Sequence, residues 1–180
     1  MSSRLALTLA LLAVTAGVTA SSGAQQPAAA PAPYPLDDVP DKMPFDVPYG
    51  APISLERATA AIAATVAEAR KHDWKLDIAV VDSGGNLVAF ERMDGAQLAS
   101  IQIAEHKART AATFRRETKV FEKGIQQSAN YYVMTLDGMI GSRGGIPLIE
   151  GGKLIGAIGC SGGTGSQDEV ACKAGVATIK

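Results

Sequence analysis

Proline is the residue that most limits this chain. Eight of its nine prolines fall between Pro27 and Pro52, and the ninth is Pro147. Proline fixes φ and has no backbone N–H, so a stretch dense in it suits neither a helix nor a central strand. A folded body must lie outside that stretch. Residues 1–24 do not supply one. Arg4 precedes an uncharged apolar run, Leu5 to Val18, and small residues follow at Val18-Thr19-Ala20 and Ser22-Gly23-Ala24. That is the pattern of a secretory signal peptide cleaved after Ala20 or Ala24. An anchor that is never removed is the alternative, but the run is shorter than the roughly 20 apolar residues of a usual span. Residues 25–53, with Ala28-Ala29-Ala30-Pro31-Ala32-Pro33, are expected to be extended. They read as a spacer, or as an arm whose Phe45, Val47 and Tyr49 pack on a neighbouring subunit. Residues 54–180 remain, enough for one sizeable core.

Charge narrows the function. Lys and Arg number 17 against 18 Asp and Glu, a formal net charge of -1. No basic field exists to hold nucleic acid. The chain is 47% hydrophobic, too apolar to be disordered as a whole. No stretch after the leader is long enough to cross a membrane.

Periodicity divides the body. Ser54 can cap a helix, with Glu56 in the first turn. Leu55, Ala58, Ile62, Val66 and Ala69 then recur at three and four. Leu76 to Val81 and Leu87 to Met93 follow period two and read as strands. Asp82-Ser83-Gly84-Gly85-Asn86 joins them as a hairpin, with Asp82 tightening its own turn. A second alanine-rich helix spans Leu98 to Phe114. Arg115 to Gln127 is charged and reads as a short helix or a loop, and Tyr131 to Leu136 as a short strand. Ile146–Ile149 and Lys153–Cys160 form a second hairpin around Gly151-Gly152. Ser166-Gln167-Asp168-Glu169 has capping-box spacing for a last helix from Asp168, and Gly175 inside it implies close packing. The expected fold is α+β: an antiparallel sheet of about five strands flanked by helices.

Few residues offer chemistry. His72 ends the first helix and reads as a cap facing solvent. His106 lies mid-helix, with Thr110 and Thr113 on its face at spacings of four and three. Ile103, Lys107, Thr110 and Phe114 form an adjacent stripe. A neutral imidazole is a good iron ligand, and a solvated surface histidine is the plain alternative. Two histidines and no Cys-x-x-Cys leave no zinc set, and no Cys-x-x-Cys-His is present for covalent haem. Cys160 and Cys172 either pair across the intervening loop or stay as buried thiols. Gly162-Gly163-Thr164-Gly165 matches neither a phosphate loop nor a dinucleotide fingerprint, and Ser161 lacks a nucleophile elbow. Arg92, Lys107 and Arg143 are the basic residues nearest the glycine-rich turns. They either hold carboxylates or are solvated.

Several spaced motifs then carry a resemblance. They are Val80-Val81-Asp82-Ser83-Gly84-Gly85-Asn86-Leu87, Arg92-Met93-Asp94-Gly95-Ala96 and Lys107-Ala108-Arg109-Thr110-Ala111. Gly144-Gly145-Ile146-Pro147 and Gly156-Ala157-Ile158-Gly159-Cys160-Ser161-Gly162 follow, and Asp168-Glu169 precedes Ala171 and Gly175. In this order they resemble the GlcG/HbpS-like haem-binding family, which includes the C-terminal domain of PduO-type proteins. The resemblance covers about Ser54 to Lys180. It implies an α/β sandwich around a five-stranded antiparallel sheet, homo-oligomers as a common state, secretion in several members and haem binding in some. It also marks the Lys107–Ala111 helix as a site wall.

Two functions are therefore expected. The first is a secreted or periplasmic haem binder, in sensing, storage or uptake. Ile103 and Phe114 would wall the porphyrin, His106 or Thr110 would face the iron, and Lys107, Arg92 or Arg143 would meet a propionate. His106 is the metal ligand of choice. The second is an enzyme, or enzyme accessory, acting on a small oxygenated metabolite such as an organic acid. Its pocket would use Asp82, Lys107, Arg143 and Asp168, with Lys107 or an Asp moving the proton. An oligomeric structural module is a third, plainer reading.

Overall fold

The computed structural model describes residues 39–43 and 45–180. The expected leader, 1–24, lies outside the described residues, as does most of the proline-rich stretch. Ser54, in extended conformation, accepts the Arg57 N–H and opens α1 (Leu55–Lys71), with Glu56 in its first turn. His72 caps the far end through its backbone, faces solvent and stacks its ring on Trp74. β1 (Asp77–Asp82) and β2 (Leu87–Arg92) form the first hairpin. Asp82 tightens that turn: its Oδ1 accepts the Gly84 and Asn86 N–H groups at 2.8 and 2.9 Å. α2 (Ser100–Thr113) and α3 (Thr118–Ser128) follow. The second hairpin pairs β3 (Gly145–Glu150) with β4 (Lys153–Ser161), and α4 (Gly165–Val176) closes the fold. Gly151 and Gly152 both take positive φ, 53° and 74°, the geometry of a two-residue hairpin turn.

Antiparallel pairing runs through the whole sheet, in the order β2-β1-β4-β3. The expected strand at 131–136 is instead a 3-10 turn, Tyr131–Thr135. The Val133 and Leu136 N–H groups bond back three residues, to Asn130 and Val133, and only Val133 of that stretch is buried. A single anchored side chain suits a local turn better than a strand, which needs a partner edge.

Extra pairing comes from the end of the proline-rich lead. The Gly50 N–H bonds to the Leu154 carbonyl at 2.7 Å, and the Leu154 N–H to that of Pro48 at 2.8 Å. Pro48 gives up no ladder bond, because it only accepts. Ile53 is buried, and Tyr49 Oη donates to the Thr113 carbonyl. Residues 45–53 thus lie against their own chain, and the folded body begins before Ser54.

Helices cover both faces of the sheet. α1 and α4 meet Ile78, Val80, Leu148, Ile158 and Cys160 on one side. α2 meets Ala79, Val81 and Ala157 on the other, through Ala104, Ala108, Ala111 and Ala112. β1 is buried on both faces, so its sequence is a continuous apolar run rather than a clean alternation. Cys160 and Cys172 form a disulfide between β4 and α4, with Cα atoms 5.8 Å apart. α4 starts earlier than expected. Thr164, not Ser166, is the cap, and Gln167 completes the capping box. Gly175 packs closely, as expected: a Cβ there would sit 2.4 Å from Thr65 Oγ1 and 2.7 Å from the Ala61 carbonyl.

Candidate functional site

Small residues on both partners bring α2 unusually near the sheet. A Cβ on Gly159 of β4 would lie 2.1 Å from the Ala104 carbonyl, and one on Gly145 of β3 would lie 2.3 Å from that of Lys107. Glycine is needed where one backbone approaches another this closely. The consequence is that the α2 stripe facing β3 has no room for a ligand. Lys107, in that stripe, is 1% exposed. Its Nζ donates to Asp168 Oδ2 at 2.7 Å and to the Cys160 carbonyl at 3.1 Å. Asp168 Oδ1 accepts the Gly163 N–H at 3.0 Å. Burial pushes the Asp168 carboxyl above the usual range, although the Lys107 charge and its hydrogen bonds pull the other way.

Further charges surround this pair. Glu169, also buried, takes Lys119 Nζ at 2.8 Å and Lys173 Nζ at 2.5 Å. Burial alone would raise its carboxyl, but those two ammonium groups hold it below the ordinary value. Arg143 Nε donates to Glu122 Oε1 at 2.6 Å, and its Nη1 stands 3.6 Å from Glu169 Oε2. Four basic and three acidic side chains thus tie the Gly144 turn, α2, α3 and α4 together.

The residues expected to form a haem pocket separate into five places. His106 is exposed on the outer face of α2, with half-buried Ile103 one turn earlier. Thr110 is buried: it donates to the Gly138 carbonyl at 3.2 Å and accepts the Ile140 N–H at 3.1 Å, so both hydroxyl roles are taken by a loop. Lys107 and Arg143 belong to the ionic network, paired with Asp168 and with Glu122 and Glu169. Phe114 packs edge-on to Phe121, with ring centroids 5.2 Å apart, and does not wall a pocket beside His106. Arg92 is exposed at the end of β2, opposite Asp77. The alternative pocket does not assemble either. Asp82 is spent on its own turn, while Lys107 and Asp168 are sealed inside.

Two features escaped the sequence reading. Asp77 is fully buried, and neither carboxylate oxygen has a hydrogen-bond partner among the described residues. Burial raises its carboxyl above the ordinary value, with the Arg92 charge opposing. A strand-opening acid carries no sequence signal that it will face inward. Arg115 and Arg116 are the second feature. Their surroundings include an apolar cavity at the β3 edge, and the only hint was a charged pair immediately after an apolar helix.

Comparison with known proteins fits this architecture. A family model described as "Haem degrading protein HbpS-like" matches residues 53–177. The chain is 42% identical to Protein GlcG of Escherichia coli (strain K12) over 109 residues, 61% of this chain and 81% of that protein. A double mutant of HbpS from Streptomyces reticuli has a similar structure, with a TM-score of 0.67 at 30% identity over 79% of this chain and 97% of that one. The PduOC–haem complex gives a TM-score of 0.65 at 26% identity over 72% of this chain and 96% of that one. With nearly the whole body matched, from the strand-like end of the lead to the last turn of α4, the chain belongs to the HbpS-like family.

Proposed function

We propose that this protein binds haem outside the cytoplasm, with His106 as the axial ligand. The observation that carries the reading is the imidazole itself, which is exposed at mid-α2. Membership of the family supports it, as does the likeness to a PduOC structure that contains haem. The chemistry of the donor set fits at one point only. A neutral imidazole nitrogen suits iron, and Ile103 offers apolar contact beside it. Lys107 and Arg143 are committed to carboxylates and would not meet propionates, and Thr110 would not meet iron. Bound haem would supply a redox-active iron. The chain would supply one nitrogen and one edge of apolar wall. The porphyrin's remaining surface would be covered by a second copy of the chain, which agrees with the expected homo-oligomer. Among the described residues no helix is long and apolar enough to cross a membrane, and export rests on the leader at residues 1–24. No observation favours the metabolite-enzyme reading over this one.

A haem titration of chain recovered from the periplasm tests these points together. Its first residue should follow Ala20 or Ala24. Wild type should develop a Soret band that saturates, and His106→Ala should shift that band and weaken binding at least tenfold. An unchanged spectrum and affinity in His106→Ala would remove the ligand assignment. No binding by wild type would remove the function.

A further inference from the structure

Two guanidinium groups stand just past the end of α2, and neither forms a salt bridge with a carboxylate among the described residues. Arg115 has φ 56°, in the left-handed region that favours glycine. The helix end requires that conformation, because the Arg115 and Arg116 N–H groups bond back to Ala112 and Ala111. A long charged side chain at such a position has a use that glycine could not serve. Part of that use is visible: Arg115 donates to the Val47 carbonyl at 3.1 Å, and Arg116 stacks on the Phe45 ring and donates to the Phe114 carbonyl at 3.0 Å. These partners are neutral. Neither arginine pairs with a carboxylate among the described residues, and both are half-buried. Burial and the Arg115 charge both work against the Arg116 cation, with only Tyr132 opposing them. Carbonyls and aromatic faces hold these cations, but they leave the charge itself without a neutralising anion.

Beside them lies a cavity of about 370 Å³. Ile146, Pro147 and Ile149 of β3 line it, together with Val176 and Ile179 near the C-terminus. Glu117 also borders it, and its field reaches Lys173. Cavities that take small organic ligands run from about 300 to 1,000 Å³, so this one suits a slender molecule rather than a broad ring. Arg115 and Arg116 line the same cavity as these aliphatic side chains, which sets cationic residues beside apolar ones. We propose that this cavity binds an amphipathic monocarboxylate, with its aliphatic tail against Ile146 and Ile149 and its carboxylate on the Arg115–Arg116 pair. Guanidinium groups match carboxylates with paired, charge-assisted hydrogen bonds. The site shares no residue with the one at His106, so each can fail alone.

Calorimetric titration of the full chain with sodium octanoate tests the proposal, with octanol as the uncharged probe. Octanoate should bind once per chain and at least tenfold more tightly than octanol. Arg115→Gln should weaken octanoate about tenfold, the loss of a charge-assisted bond. Ile149→Asp, outside the arginine clamp on an exposed part of β3, should weaken it at least tenfold with the thermal midpoint retained. The Ile149 variant keeps the test decisive if Arg115→Gln does not fold. Equal binding of octanol and octanoate, no binding at millimolar octanoate, or undiminished binding in Ile149→Asp would each overturn the proposal. The haem titration should be the same with and without octanoate.

Discussion

Lys107 illustrates how a functional pattern and a structural one converge on the same residues. Helical spacing aligns Ile103, Lys107, Thr110 and Phe114, but only Lys107 and Thr110 of the four are buried. What spacing could not give was the direction in which the stripe points. The partner that decides it, Asp168, is 61 residues away. Only when β4 and α4 are in place does the ammonium have a reason to turn inward. Such a pair stabilises weakly as a unit, because two charges lose their hydration, but it binds its members together firmly. Either Lys107→Met or Asp168→Leu alone should therefore cost about 3–5 kcal/mol, by leaving one buried charge unpaired. The double variant should recover most of that loss. Urea denaturation of the three variants measures it, and additive losses in the double variant would contradict the coupling. His106, on the outer face of the same helix, should be indifferent to all three.

At the scale of elements, local signals were readable wherever they acted locally. The Asp82–Asn86 turn, the Gly151-Gly152 turn and the Ser54 cap all appear where the sequence put them, because each is decided within five residues. α4 shows the limit. Two caps overlap there, Thr164 with Gln167 and Ser166 with Glu169. The first wins because Asp168 and Glu169 are taken up by distant cations and are not available to cap. Tyr131–Thr135 fails as a strand for a related reason: a short apolar run was present, but it pairs with no strand of the sheet. The disulfide was open from sequence, since twelve residues can either bridge or not. Its closed loop is short, so replacing both cysteines by alanine should lower stability by about 2–4 kcal/mol. The same change should appear as a lower thermal midpoint of wild type under reductant. A midpoint that ignores reductant would show that the bond is not formed.

For the whole molecule, the proline cluster located the start of folding within several residues but misjudged its edge. Composition marks residues 25–53 as one segment, whereas the last of them add backbone pairs to β4 and bury Ile53. Proline density does not reveal that a Pro48 carbonyl finds an N–H to accept. A chain beginning at Phe45 should unfold within about 0.5 kcal/mol of the longer one. One beginning at Ser54 should lose at least about 2 kcal/mol, close to the value of one buried isoleucine. Equal midpoints for the two truncations would contradict the assignment of 45–53 to the body. Of the residues in the proposed haem site, His106 is exposed with half-buried Ile103 beside it. Lys107 and Thr110, placed on the same helix by periodicity, are instead buried against β4, α4 and the Gly138 loop.

The strand order has one more consequence. β2 with β1 and β3 with β4 are neighbours in sequence, and each hairpin can close within a short loop. The two hairpins touch only along β1 and β4, whose joining waits until α2, α3 and the 3-10 turn between them have been drawn in. Loop-closure entropy falls on that single seam. The rate of folding should thus be set at the middle of the sheet, where Asp77 meets Ser161 and Asp82 meets Gly156, and not by either turn. A chain cut in the exposed stretch near Asp137 would carry one hairpin on each fragment. The seam would then become a binding interface between two halves of one protein.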